Sequence, residues 1–578
     1  MAFDHQARVN EHASSAAPRR RGFTQAEAPI LARPLARSGP MIEFIGTVRV
    51  LAILIVTASS LAVPPLGRDV AFAQIAGAST PNGNESPKGE DVSRRPVSAG
   101  PEFAREADAW ISDALARLEV VPGLAVAVVV DDTVVLADGW GMADVEAGIP
   151  ATEETVFYIA SATKSFTALA GAILDADGRV DLDSSVASHL NGVTLDPEMH
   201  AEEVRLRDLL THTSGIDNDP IPIRLAYTGE HDPETLWRLL DESTPNEDAP
   251  LGTFDYTNFG YNLYTMFTDR ELGVRWQDLL AREVFGPIGM ERTSAYTSLP
   301  KDRGWPVAVP YNGLGASGVE PVGLDKTDAT MQSAGGIVTT AQDLGRWIRF
   351  QLGNGRIDGV QVTGTDVVKH THEPLVEASG RPPFAWHHYG LGWGHGDVHG
   401  RTLLHHSGGY PGFRSFVSFS PDLDMGVAIV ANESVVGSSL VDVFATWIYD
   451  WWLSAPNTED SIAPLLERRD EVRKRFEASR SERAVRQWAL GRPRADYAGV
   501  YEDPIWGTVV IEEQDGDLEV RAGNLHCIAT AFEKPETMRV ELIPGQGYIV
   551  RFFPENIDEG PVREVEIDGV FYKRAKGR

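Results

Sequence analysis

The chain has 578 residues, several times the ~150 of a typical domain, which predicts two or more domains. Apolar residues make up 42% and charged residues 23%, which allows a large buried core and excludes a wholly disordered, collagen-like or polytopic membrane chain. With 52 Lys and Arg against 83 Asp and Glu the net charge is -31, and a surface that acidic repels phosphate backbones and argues against nucleic-acid partners.

From the amino terminus, residues 1–40 are rich in Arg, Ala and Pro, and residues 41–73 read as an export signal. Arg49 supplies a positive start, Val50 to Val63 is an apolar run, and Ala71-Phe72-Ala73 fits a small-x-small cleavage pattern before Gln74. The run is shorter than the ~20 residues of a membrane span; an uncleaved anchor is the alternative. These features predict a secreted, periplasmic or cell-envelope protein. The single cysteine, Cys527, excludes an intrachain disulfide and a thiolate zinc site.

Residues 74–100 form a Gly/Ser/Pro/Asn-rich tether without apolar period. Phe103, Ala107, Trp110, Ile111 and Leu115 then recur at helical spacing. Leu124 to Val130 and Val134 to Leu136 flank Asp131-Asp132, a hairpin signal. Strand and helix patterns continue to about residue 455, and residues 456–492 read as a charged helical connector. After 493 come short alternating runs, Thr508 to Glu513, Leu518 to Arg521, Met538 to Leu542 and Tyr548 to Phe553, separated by Asp-Gly and Pro-Gly turns. They predict a small all-β domain over 493–578.

Ser-x-x-Lys occurs twice, at Ser161/Lys164 and Ser298/Lys301. After Ser161, the residues Phe166, Leu169, Ala170, Ile173 and Leu174 mark a buried helix that stops at Asp177-Gly178. Ser161 thus stands at a helix start with Lys164 one turn on, over the same face. A serine hydroxyl needs a neighbour to take its proton, and an amine at that spacing is within reach. The plain alternative is a helix cap beside a solvated lysine. Ser298 precedes Pro300, Gly304 and Pro306, which predicts no helix and marks it as a decoy.

Two later stretches could serve the serine. Tyr256-Thr257-Asn258 offers a phenol as a base and an amide to hold Lys164 and a substrate amide. His406-Ser407-Gly408-Gly409 offers a small-residue strand, with His406 as proton donor or cation. Together Ser161/Lys164, Tyr256/Asn258 and His406-Ser407-Gly408 resemble, in order, the three motifs of the serine β-lactamase and penicillin-binding family. More specifically they resemble its branch of class C β-lactamases, DD-carboxypeptidases, D-aminopeptidases and related esterases. Leu206 to Ile216, Ser333-Ala334-Gly335-Gly336 and Tyr389-Gly390-Leu391-Gly392-Trp393 resemble the family framework, and the likeness spans residues 101–455.

The resemblance implies an α/β (α+β) fold, an antiparallel sheet flanked by helices with a helical subdomain. It implies catalysis by Ser161, Lys164 and Tyr256, with Asn258, His406, Ser407, Gly408 and Gly409 binding substrate, and an oxyanion hole from the backbone N–H groups of Ser161 and Gly409. It implies an acyl-serine hydrolase without cofactor. The substrate would be a small molecule or peptide, of cell-wall origin among others: a D-amino-acid amide, a peptidoglycan stem peptide, an ester or a β-lactam. His406 stands where β-lactamases of this branch have lysine, which argues against an efficient β-lactamase. Residues 497–501 resemble, more weakly, a lipocalin-like barrel appended to some members.

The sequence offers three other readings: a metal enzyme, a structural His212 and a non-catalytic binder. Eight of the fifteen histidines lie between His370 and His406, yet no His-Glu-x-x-His occurs, and adjacent pairs such as His405-His406 point to opposite faces of a strand. His212 reads as a loop-fixing residue. A non-catalytic envelope protein that keeps the fold to bind peptide is the different-class alternative.

Overall fold

A computed structural model of the chain describes residues 94–455, 460–554 and 560–576. The export signal over 41–73 and the tether up to residue 93 lie outside the described residues. Arg94 to Ala99, which the sequence assigns to the tether, belong to the fold: the Arg95 N–H donates to Trp452 O at 2.8 Å, and its guanidinium covers the Trp451 ring.

The first helix, α1 (Gly100–Leu118), buries Phe103, Ala107, Ile111, Ala114 and Leu118 along one stripe, as 3.6-residue periodicity dictates. Strands β1 (Gly123–Val130) and β2 (Thr133–Asp144) form the expected hairpin. Asp131 and Asp132 turn it with φ of 49° and 56°, a conformation aspartate tolerates and primed hairpin turns require. The main sheet has nine strands, all antiparallel, and β1 lies inside it, buried on both faces.

Alternation along β1 divides the core into two layers. Val126, Val128 and Val130 pack with Phe103, Ile111, Phe444 and Ile448, whereas Ala125, Ala127 and Val129 pack with Phe166, Leu344 and Trp347. The second layer contains α2 (Thr163–Ala176), which starts at the Ser161 motif, and α4 (Ala341–Leu352). Between them in the chain, α3 (Phe259–Leu272) joins a separate cluster with Leu206, Leu209 and Leu210, the helical subdomain.

The sheet continues with β3 (Gly394–Val398), β4 (Arg401–Tyr410), β5 (Phe413–Ser420) and β6 (Met425–Ala431). It is covered by α5 (Gly437–Trp452). Buried Glu433 accepts the N–H groups of Val435, Val436 and Gly437 at 2.7–2.8 Å, satisfying donors that a helix start otherwise leaves open. The connector is a helix, α6 (Ala463–Ala484). Beyond it, nine strands from Gly499–Asp503 to Val570–Arg574 make a nearly closed barrel-like sheet, and the four alternating runs read from the sequence all lie in its strands.

One expectation is corrected. Ser298 does begin a short helix, Ser298–Arg303. Pro300 falls in its first turn, where the missing N–H has no intrahelical partner to lose, and Gly304 ends it at φ 65°.

Candidate active site

Ser161 lies in a tight turn, Ala160–Ala162, immediately before α2. The chain reaches it from Phe157–Tyr158 through Ala160, held at φ 46°. Ser333 to Gly336 braces this entry. The Thr163 hydroxyl oxygen accepts the Ile337 N–H at 3.1 Å, the Thr167 hydroxyl donates to Ser333 O at 2.8 Å, and a methyl on Gly335 would stand 3.7 Å from Ser161 N.

Lys164, one turn on, is fully buried. Its Nζ donates to Asn258 Oδ1 at 2.7 Å and Ala334 O at 2.8 Å, and lies 3.4 Å from Ser161 Oγ. No carboxylate accompanies it among the described residues; burial holds the amine well below the usual lysine range because a desolvated cation is costly. Asn258 directly precedes α3, so the register of that helix sets the amide against Lys164.

The Tyr256 hydroxyl lies beside Ser161, and burial raises its ionisation well above the usual phenol range. The Lys164 amine stands 4.7 Å from its ring centroid. The loop carrying Tyr256 is fastened to His212: the Asp255 N–H donates to His212 O at 2.8 Å, and the Thr257 N–H to His212 Nδ1 at 3.3 Å. The loop-fixing reading of His212 therefore matches its contacts.

His406 is buried on β4. Its Nδ1 donates to Ser407 O at 2.7 Å, which leaves Nε2 to accept from the Tyr389 hydroxyl at 3.1 Å. Burial first, then the nearby Lys164, pushes its pKa down to about 3. His406 is a neutral acceptor at neutral pH, not the cation or proton donor that its residue type suggested. The Tyr256 phenol, raised by burial, stays protonated.

Gly408 is required by close approach: a Cβ there would meet Ile159 O at 2.0 Å and Ser415 Oγ at 2.4 Å. Strand β3 pairs only with residues 401–405 of β4, while β5 pairs along β4 to Tyr410. The half from His406 to Tyr410, including Ser407 and Gly409, thus has one edge that no strand covers among the described residues. Ser161, Lys164, Tyr256, Asn258 and His406 converge. The decoy Ser298 donates instead to Asp328 Oδ2 at 2.6 Å.

Sequence reasoning missed the Ala334 carbonyl and the Tyr389 hydroxyl as partners, although both lie in stretches it had marked as framework. It also missed Trp386, whose ring is 5.9 Å from Tyr256 and 5.8 Å from His406; nothing in the local pattern around Trp386 signals this. The clustered histidines are used separately, His370 with Glu373, His372 with Gln351 and His399 with Asp450.

A family model described as Beta-lactamase matches residues 108–443. Penicillin-binding protein 4 of Amycolatopsis lactamdurans is 30% identical over 344 residues, 57% of this chain and 86% of its own length. Protein flp of Staphylococcus aureus (strain N315) is 26% identical over 315 residues, 54% of this chain and 60% of its own. Among solved structures, the octameric penicillin-binding protein homologue from Pyrococcus abyssi matches with a TM-score of 0.52 at 19% identity, over 81% of this chain and 99% of that one.

Proposed function

Because this chain belongs to the beta-lactamase family, we propose that it hydrolyses an amide or ester through an acyl intermediate on Ser161, with Lys164 as the base. The observation that carries the reading is the hydrogen-bond inventory of Lys164. A neutral amine has two N–H groups and one lone pair. Asn258 Oδ1 and Ala334 O take the two N–H groups, and the lone pair is left for the Ser161 O–H at 3.4 Å.

In this mechanism Ser161 Oγ attacks the substrate carbonyl as its proton passes to Lys164 Nζ. The backbone N–H groups of Ser161 and Gly409 receive the oxyanion. The Tyr256 hydroxyl, beside Ser161, relays the proton to the leaving group, the scissile bond breaks, and water then releases the acyl group by the reverse proton path. The uncovered β4 edge from His406 to Tyr410 suits an extended peptide-like substrate. A neutral His406 gives a carboxylate on the leaving side no cation, which favours amides and esters without one over β-lactams. The apolar run and Ala71-Phe72-Ala73 support export to the cell envelope.

The test is active-site labelling with a fluorophosphonate, read by mass spectrometry, beside an ester turnover assay. Ser161→Ala is expected to abolish both, and Ser298→Ala to change neither. Turnover that survives Ser161→Ala overturns the reading, and penicillin binding without turnover of any ester or amide would match a non-catalytic binder instead.

A further inference from the structure

A second lysine, half-buried, lies beside the site. Lys326 Nζ donates to Ala226 O at 2.6 Å and Thr330 O at 2.9 Å. It stands 4.1, 5.3 and 5.8 Å from the ring centroids of Tyr410, Tyr158 and Tyr227. Burial, rather than any neighbouring carboxylate, governs its amine and holds it well below the usual lysine range. The chain has only nine lysines, and this one, like Lys164, has no counter-ion among the described residues, so its cation is disfavoured until something acidic meets it. As a neutral amine it has two N–H groups, and both are used; protonation would give it a third.

The cage adjoins Ser161 from two directions. Tyr158 precedes Ser161 by three residues and donates to Gly335 O, the glycine packed against Ala160 and Ser161. Tyr410 follows Gly408 by two residues on β4, at the end of the uncovered edge away from His406. Tyr256 and His406 stand at the opposite end, where the leaving group would be protonated, so the cage faces the acyl portion of a bound substrate.

The barrel fastens this wall. In its Ala522–Leu525 turn, the Asn524 N–H donates to Thr228 O at 2.8 Å and Asn524 Nδ2 to Thr327 Oγ1 at 3.0 Å. Those acceptors flank Tyr227 and Lys326 in sequence. Nearby, Arg224 donates to Ile505 O at 2.7 and 3.0 Å, and the Thr508 N–H to Glu230 Oε2 at 3.1 Å.

We propose that Lys326 in its tyrosine cage is a subsite for a carboxylate on the acyl portion of the substrate, held in place by the barrel, an assignment that rests on the acyl-Ser161 reading. An arriving carboxylate favours the protonated amine, serves as its counter-ion and takes the third N–H.

The experiment compares two alkylphosphonofluoridates whose alkyl chain ends in a carboxylate or in its methyl ester, reading the rate of Ser161 labelling in the full chain. In the wild type the carboxylate probe should label faster, by roughly tenfold or more, the scale of one charge-assisted hydrogen bond. Lys326→Met should bring that ratio close to one, and Asn524→Ala, on the exposed turn, should lower it. A wild-type ratio near one, or a ratio unchanged in Lys326→Met, overturns the subsite. If Lys326→Met does not fold, the wild-type ratio and Asn524→Ala still decide; a ratio that Asn524→Ala leaves intact removes the barrel from the proposal. Failure of both probes to label Ser161 rejects the acyl-serine reading itself, whereas equal labelling rejects only the subsite.

Discussion

The Tyr389 hydroxyl stands 3.1 Å from Nε2 of His406, on the ring nitrogen opposite the one that donates to Ser407 O. This pair fixes the neutral tautomer of His406, and burial pushes its pKa down to about 3. The pH profile of kcat/KM between pH 5 and 8 should therefore have the same shape in the wild type and in His406→Gln. An acid limb near pH 6.5 that disappears in His406→Gln would show that His406 titrates in the working range.

Asn258 tunes the base. Its amide oxygen takes an N–H of Lys164 without adding charge, and burial keeps the amine's pKa low. Asn258→Asp places a negative charge at that position, which favours the protonated amine. The acid limb of kcat/KM should then move to higher pH by one unit or more. Lys164→Ala should lower kcat by roughly 10³-fold or more, through loss of the base. A limb that stays in place in Asn258→Asp would mean that Lys164 is not the group whose deprotonation the rate follows.

The neutral histidines make the fold acid-sensitive. Burial pushes His372 and His405 down to about 3 and His395 to about 4, against about 6.5 in the unfolded chain. Their contribution to stability is complete above about pH 6.5 and declines as pH falls towards 3–4, because the unfolded state binds the protons first. Asp269, raised by burial to about 7, acts in the opposite direction below pH 7. His405, whose ring nitrogens both lack a partner among the described residues, gives the cleanest test. His405→Phe should flatten the fall of stability between pH 6 and 4 by about 1.4 kcal/mol per pH unit, one proton's worth. Denaturant unfolding at several pH values measures it, and an unchanged slope counts against a neutral buried His405.

Gly408 gives a steric prediction. A Cβ there would enter Ile159 O at 2.0 Å, against backbone that cannot swing aside like a side chain. Gly408→Ala should cost about 1–3 kcal/mol in stability, the range for overpacking, and should displace β4 from the Ser161 turn, with a fall in kcat/KM of at least ~10²-fold. Tm and kcat/KM are the measurements. An active Gly408→Ala of normal Tm would mean the strand and turn are less tightly joined than their distance implies.

Local physics made much of this protein legible from its residues. The Ser161 helix start followed from apolar spacing, the β1–β2 hairpin from Asp131-Asp132, and the barrel strands from alternation between turns, because periodicity and turn chemistry act over a few residues. The short helix at Ser298 escaped even so, since proline is a breaker only beyond the first turn. Other features required the assembled fold. Lys164 meets Ala334 O across 170 residues, His406 is neutral because its surroundings exclude water, and Lys326 acquires its cage from three separate segments and its support from the barrel. Desolvation and hydrogen-bond partnership belong to whichever elements pack together, so a residue's charge state and its partners were decided by the tertiary structure alone.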